Sequence, residues 1–232
     1  MFQQRTKRVW GGVIAFLALG VAIYLGVQYF VFGVTSSGLI QDKVNTQHLK
    51  LSDLYYFVLY LHIATGIIAI SIGWIQFIES IRKKYSSLHR TLGKIYSGCV
   101  IFSGGAGLFI AFNATGGWIS TVGFLLLSLS WLYTVIKGLR AIVVEQDLHN
   151  HKNWMLRNYA LTLAAVTLRI YLPVCMLLFG FDDFYVYYRA IAWLCWIPNL
   201  IFAEWIIRRV ASSGLTLYSI SKTTHLNRKR TM

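Results

Sequence analysis

Long apolar stretches alternate with short polar segments along the whole chain. Six of these stretches carry few charges: Val9–Phe32, Leu54–Ile78, Thr91–Ala114, Trp118–Ile136, Trp154–Phe179 and Tyr188–Ile207. Each is long enough to cross a membrane, because an α-helix rises ~1.5 Å per residue and the hydrocarbon core is ~30 Å thick. Barrel strands are shorter and alternate in polarity, and these stretches do neither. The pattern therefore predicts an all-α, polytopic membrane protein with six transmembrane helices.

The polar segments between these stretches are too short to form a soluble domain. The longest are 33–53 and 137–153, and the chain ends in a short basic tail, 208–232. We therefore expect a single transmembrane domain over residues 1–232. The first apolar stretch is much longer than the ~7–15 apolar residues of a signal peptide, so we expect it to be retained as a helix.

Composition agrees with a lipid environment. Hydrophobic residues make up 56% of the chain and charged residues 13%, whereas soluble domains carry about 25% charged residues. The net charge of +14 comes mainly from Lys and Arg that flank the apolar stretches. No soluble basic patch with interleaved aromatic residues accompanies it, so we expect no nucleic-acid partner. The charge instead suits contact with anionic lipid.

The distribution of the basic residues predicts the orientation. With the N-terminus inside, 18 of the 22 Lys and Arg residues lie on the cytoplasmic side, three lie outside, and Arg169 lies within a span. Cytoplasmic loops of membrane proteins carry such an excess of Lys and Arg. We therefore expect both termini in the cytoplasm.

A polar stripe runs along the fifth predicted span. Asn158, Thr162, Ala165 and Arg169 are spaced by four, three and four residues, which places them on one face of an α-helix. His151 extends the same face by seven residues. Lipid disfavours this face, so we expect it to point into the bundle. An arginine inside a membrane is a functional candidate, but it can also extend to the surface or bind helix carbonyls.

A second face of this kind lies on the second predicted span. His62, Gly66, Ala69, Gly73 and Gln76 follow one another at helical spacing. The small residues below the histidine have two competing uses. They allow close packing of another helix, or they leave room for a flat macrocycle with His62 as its axial ligand.

The two faces are expected to meet. His62 and Arg169 both lie some ~12–15 Å below the outer surface, counted along their helices. Two charged groups at one depth would repel each other. We therefore expect a neutral His62, as metal ligation requires, and an anion beside Arg169.

Further histidines gather at the predicted cytoplasmic edge. His89 begins the third span in SSLHRTLGKIY, and His149 and His151 begin the fifth in HNHKNWM. They are candidate ligands of a haem or a metal ion, with Glu145 and Asp147 as further ligands or hydrogen-bond partners. His149 is the weaker candidate, because its position two residues before His151 turns it to another face. Histidines at interfaces also cap helices or bind headgroups, and the sequence leaves both uses open.

Several of these segments resemble a known family. HIATG, GWIQF, HRTLGKIY and HKNWMLRNYALTLAAVTLRIYLP look like the bacterial membrane family known as domain of unknown function 2306, from about Leu54 to Pro198. The resemblance implies a multi-pass protein of the bacterial inner membrane and brings no activity with it. Its signature positions correspond to His62, His89, Arg90, His151, Trp154, Met155, Arg157 and Arg169. The first span precedes the resembling region.

Histidines on several helices are also similar to those of di-haem cytochromes of the b561 and ferric-reductase kind. That similarity is partial, because those proteins pair histidines at both leaflets and His62 has no partner at its own level.

Two classes of function follow. The first is a redox protein in which His62, His89 and His151, with His149 as a further metal ligand, bind haem b or another metal centre. Arg169 would then neutralise a propionate or a bound substrate, and electrons would pass to or from a quinone or another redox partner. The second is a transporter or scaffold without a cofactor, in which Arg169 forms an anion site.

The sequence does not decide whether the protein is an enzyme. No Gly-rich nucleotide-binding loop follows a strand, and no serine, histidine and carboxylate stand in a hydrolase arrangement. A self-contained NAD(P)H reductase and a hydrolase are therefore not supported.

Overall fold

A computed structural model describes residues 2–211, with side chains from Val9 onward. The α-helices are Phe2–Gly26, Gly38–Gln41, Asp53–Gly73, Glu79–Lys84, Ser86–Ala111, Trp118–Val143, Leu148–Thr162, Ala164–Phe179, Phe184–Leu194 and 197–211. Short π-helical turns at Val27–Val31 and Asp42–Thr46, and 3-10 turns at Val34–Ser36 and Trp74–Phe77, extend or connect them. This part of the chain contains no strand.

Six helical segments are long and apolar enough to cross a membrane: Val9–Val31, Asp53–Phe77, Ser86–Ala111, Trp118–Val143, Leu148–Phe179 and Phe184–Ala211. The prediction of an all-α fold with six transmembrane helices is thereby confirmed. In the order of the chain, these segments are the first to sixth spans below.

Several span boundaries lie beyond the predicted ones. The third span begins at Ser86 instead of Thr91, and the fourth continues to Val143 instead of ending at Ile136. Hydropathy marks only the part of a helix that lies in lipid, whereas the backbone hydrogen bonds continue through polar residues into the interface. The basic tail beyond residue 211 lies outside the described residues.

The connections between spans alternate between the two ends of the bundle, because successive spans run antiparallel. One end holds residues 32–52, 112–117 and 180–183, and we call it the loop end. The other holds residues 78–85 and 144–147 with the start of the first span, and we call it the basic end. The charge distribution predicts that the basic end lies in the cytoplasm.

The third span forms the centre of the bundle. In its apolar section 50% of the residues are buried, compared with 17% in the first span. It packs between the second and fourth spans, and the fourth packs against the fifth. Small residues allow this close approach: a Cβ added at Gly104 would lie 2.8 Å from Leu132. The first span lies at the edge, against the second and fifth.

Two spans are interrupted within the bilayer. The fifth changes from one helix to the next at Leu163. The sixth turns at Cys195 and Trp196, just before Pro198, whose ring nitrogen has no hydrogen to donate. Nδ2 of Asn199 donates to the carbonyl oxygen of Cys195 at 3.0 Å. The amide side chain therefore satisfies a backbone group that the break leaves free.

Candidate functional site

A cavity of about 240 Å³ lies inside the loop-end half of the bundle. We call it the central cavity. All six spans contribute to its walls, and its polar lining includes Tyr29, His62, Ser103, Ser128, Thr162, Arg169 and Tyr188. Because these side chains come from different spans, the site exists only in the assembled bundle.

Arg169 lines this cavity, on the face predicted from the spacing of the fifth span. Asn158 and Thr162 of the same face are buried, so the stripe points into the bundle as predicted. Within the described residues, the Arg169 guanidinium makes one hydrogen bond, from Nη1 to the carbonyl oxygen of Ala165 at 3.4 Å. It has no ion pair among them. Since a guanidinium carries five N–H donors, most remain available to a ligand.

His62 lines the same cavity, so the two predicted faces meet. Its Nδ1 lies 2.8 Å from the carbonyl oxygen of Ser103. A carbonyl oxygen only accepts, so Nδ1 carries a proton, and in the neutral imidazole Nε2 keeps a lone pair. Ser103 Oγ donates in return to the carbonyl oxygen of His62 at 2.9 Å. The second and third spans thus hold the imidazole in a fixed orientation.

Neighbouring side chains fill the lower part of the column of small residues below His62. A Cβ added at Gly66 would lie 3.4 Å from Ser103 Oγ. At Gly73 it would lie 2.5 Å from the ring of Tyr159 and 2.9 Å from that of Tyr96. At Gly73 the structure shows close helix packing, the first of the two predicted uses, whereas Gly66 lines the central cavity.

The loop end of the central cavity is covered by the segment 34–46. Lys43 in this segment is 7% exposed. Its Nζ donates to Tyr55 Oη at 2.9 Å and to the carbonyl oxygen of Asn113. Val34 and Ile40 of the same segment are also buried. We call residues 34–46 the lid.

The lid brings a second cation to the central cavity. Lys43 and Arg169 both line it, and no Asp or Glu occurs among the described residues around it. Two basic side chains therefore line the cavity, Lys43 in the lid and Arg169 in the fifth span. In the sequence Lys43 was only one of three basic residues on the predicted outer side, and nothing in the spacing indicated its burial.

A hydrogen-bonded network lies below the cavity and connects three spans. Tyr96 Oη donates to Asn158 Oδ1 at 2.7 Å, and Trp131 Nε1 donates to Thr162 Oγ1 at 2.9 Å. Asn158 Nδ2 donates to Thr134 Oγ1 and to the carbonyl oxygen of Trp131, both at 2.8 Å. The network joins the third, fourth and fifth spans and separates the cavity from the basic end.

The histidines of the basic end form a separate group. His89 and His151 lie near enough to interact electrostatically, whereas His149 is exposed. His151 Nδ1 lies 2.8 Å from the carbonyl oxygen of Gly138, which leaves its Nε2 with a lone pair. With its amide in the orientation that satisfies its neighbours, Gln76 donates to Nδ1 of His89 at 2.6 Å. The proton of a neutral His89 then lies on Nε2.

The predicted histidine ligands do not converge on one centre. His62 belongs to the central cavity, and His89 and His151 belong to the basic end. Within residues 2–211, no three His, Cys, Asp or Glu side chains lie close enough to hold a metal ion together. Among the described residues that line the central cavity His62 is the sole histidine, and the cavity is smaller than the ~300–1,000 Å³ of drug-sized ligand pockets. Haem or metal binding at His62, His89 and His151 stays a prediction.

Other positions named by the resemblance hold helices together at the basic end. Both guanidinium nitrogens Nε and Nη2 of Arg157 donate to the carboxylate of Glu204, the second at 3.0 Å. The Arg157 guanidinium also lies 4.6 Å from the ring of Trp154. Met155 packs against Gly138, where an added Cβ would lie 2.7 Å from its sulfur. These residues join the fifth span to the sixth and fourth.

Comparison with known proteins identifies a family. Residues 59–207 match the family described as "Predicted membrane protein (DUF2306)". The match covers more than half of the chain and confirms the resemblance of the quoted segments. It includes His62, His89, His151 and Arg169, while the first span and the lid precede it. No curated protein and no solved structure matches the chain.

Proposed function

We propose that this chain, which belongs to the DUF2306 family of predicted membrane proteins, binds an anion in its central cavity and transports it. The ligand class is a carboxylate or a phosphate, because a guanidinium binds these groups through two parallel hydrogen bonds. Arg169 supplies the charge. Nε2 of His62 accepts a hydrogen bond from a hydroxyl or protonated group of the same ligand.

The observation that carries the proposal is the unpaired guanidinium of Arg169. Even the lowest scales assign about 2.5–3.5 kcal/mol to an arginine at the centre of a membrane helix. Among the described residues, only the Ala165 carbonyl at 3.4 Å offsets this cost for Arg169. An anion that enters the cavity would pair with the guanidinium, and this pairing favours binding.

The chain itself provides a comparison. Arg157 lies in the same span, and its guanidinium is neutralised by the Glu204 carboxylate. Arg157, which joins two spans, thus has a carboxylate partner. Arg169 faces a cavity instead, and this difference supports a ligand-binding role.

The experiment is a thermal-shift titration with phosphate and with propionate at constant ionic strength. We expect the melting temperature of the wild type to rise with either or both anions, since a ligand that binds only the folded state stabilises it. Arg169→Leu should lower the affinity about 10- to 100-fold, because it removes a charged hydrogen-bond partner. Arg169→Lys should retain part of it, since lysine keeps the charge and loses the planar fork.

Arg140→Leu is the matched control. Arg140 is paired with Glu145 at the exposed basic end, far from the cavity, and its loss should leave the titration unchanged. An unchanged response in Arg169→Leu, or an equal loss in both variants, would contradict the proposal.

A second candidate function is haem or metal binding at the basic end, with electron transfer to a quinone or another redox partner. It is supported by the proximity of His89 and His151 and by the free Nε2 of His151, whose Nδ1 is held by a carbonyl as in many histidine ligands. Protein purified from haem-replete cells should then show a Soret band that His151→Ala removes. A colourless protein without copper, iron or zinc would exclude this candidate.

A further inference from the structure

We infer that the anion is the head group of an amphiphile that reaches Arg169 from the lipid, through a groove between the first and fifth spans. The inference rests on the proposed anion site. It adds the class of the ligand and its route of entry.

The groove has a volume of about 840 Å³ and lies in the loop-end half of the bundle. We call it the lateral groove. Its apolar walls include Gly20, Val21 and Leu25 of the first span and Leu172, Pro173 and Met176 of the fifth. Arg169 lines both the lateral groove and the central cavity. The guanidinium therefore stands where the two spaces meet.

Entry from water is obstructed by the lid. Lys43 and Ile40 are buried beneath the loop end, and the Lys43 ammonium is bonded to Tyr55 and to the Asn113 carbonyl. A ligand that enters the central cavity directly through the lid must break these contacts. A ligand that comes from the bilayer meets an apolar groove that already leads to Arg169.

The charges of the groove orient such a ligand. At the loop end the carboxylate of Asp42 accepts hydrogen bonds from Tyr185 Oη and Gln47 Nε2, both at 2.7 Å. This negative group disfavours an anionic head at the loop end, whereas Arg169 attracts one at the deeper end. The segment from Arg169 to Met176 is about 10 Å long at ~1.5 Å per residue. The ligand class is thus a single-chain amphiphile with a carboxylate or phosphate head at Arg169.

The lateral groove is formed partly by residues outside the region that matches the family. One wall comes from the first span, before residue 59, and the other from matched residues of the fifth span. The lateral groove is therefore a feature that the family match does not imply.

Two glycines of the first span provide a matched test. Gly20 lines the lateral groove, whereas Gly12 lies on the exposed surface nearer the basic end. A Cβ added at either position meets no atom within 4 Å. Gly20→Leu therefore narrows the groove from a position where the added Cβ meets no protein atom, and Gly12→Leu adds the same side chain elsewhere.

Binding is measured in nanodiscs of zwitterionic phosphatidylcholine with dodecanoate, dodecyl phosphate and propionate. We expect Gly20→Leu to weaken the binding of at least one twelve-carbon ligand about tenfold or more. Gly12→Leu should leave it unchanged. Propionate, which has no long chain to place in the groove, should bind both variants like the wild type. A comparison of the affinities for dodecanoate and dodecyl phosphate shows which head group the site binds.

The outcomes separate this inference from the proposed function. If propionate binding requires Arg169 and both variants bind the twelve-carbon ligands like the wild type, the anion site stands and the amphiphile inference is wrong. Equal losses for Gly20→Leu and Gly12→Leu would also overturn it. If no anion binds to the wild type, the proposed function itself fails.

Discussion

At the scale of single residues, Lys43 gives the folded protein a pH dependence of its own. Burial lowers the pKa of Lys43 from 10.5 to about 8, and the nearby Asp42 offsets only part of this effect. Between these values the unfolded chain binds more protons than the folded chain, so stability rises with pH. Below pH 8 the cost of burying the ammonium is fully present.

We expect the melting temperature of the wild type to rise between pH 8 and 10, and Lys43→Met to show a smaller rise. The control is Lys50→Met, because Lys50 belongs to the same loop and is exposed. Its rise should equal that of the wild type. The same slope in Lys43→Met would show that the lid lysine is not the group responsible.

The sequence located some of these residues and missed others for physical reasons. His62 and Arg169 could be paired because both are rare in lipid and helical spacing fixes their faces. Lys43 could not, since its burial depends on how the lid folds over the bundle. Tyr96 is a tyrosine in a Gly- and Ser-rich span, and only the packed fold brings its hydroxyl to Asn158.

At the scale of elements, the close contact of the second span with its neighbours depends on Gly73. A Cβ at this position would lie 2.5–2.9 Å from the rings of Tyr159 and Tyr96. We expect Gly73→Ala to destabilise the protein by about 1–3 kcal/mol, the usual cost of overpacking. Chemical unfolding in mixed micelles measures this difference.

Gly98→Ala is the matched control for this packing prediction. Gly98 lies within the third span, and no atom lies within 4 Å of its added Cβ. Alanine favours a helix over glycine by about 1 kcal/mol, so this variant should be as stable as the wild type or more stable. If both variants behave alike, the close contact at Gly73 is not a determinant of stability.

The sequence predicted the elements better than their interruptions. The six apolar stretches identify the spans, and Pro198 marks the turn in the sixth. No glycine or proline marks the break at Leu163, where packing overrides local preference. The short helices and turns of the lid were also missed, because they are stabilised by buried contacts of Val34 and Ile40 and not by a periodic pattern.

At the scale of the whole molecule, the orientation in the bilayer is a prediction from the charge distribution. The sequence places 18 of the 22 Lys and Arg residues in segments predicted to share one side of the membrane, and the basic end should therefore be cytoplasmic. Reporter fusions after Lys43 and after Asp183 should report the outer side. A cytoplasmic signal at either position would overturn this topology and place the lid and the central cavity at the inner leaflet.

The central claim is that Arg169 binds an anion inside the bundle, and locating such an anion tests it most directly. Arsenate is a phosphate analogue and 3-bromopropionate is a carboxylate, and both give an anomalous signal, so crystals grown at a saturating concentration of either would reveal its position. We predict an anomalous peak from at least one of them in the central cavity beside the Arg169 guanidinium, and no such peak in crystals of Arg169→Leu. Peaks confined to exposed lysines and arginines of the basic end, with none in the cavity of the wild type, would contradict the account.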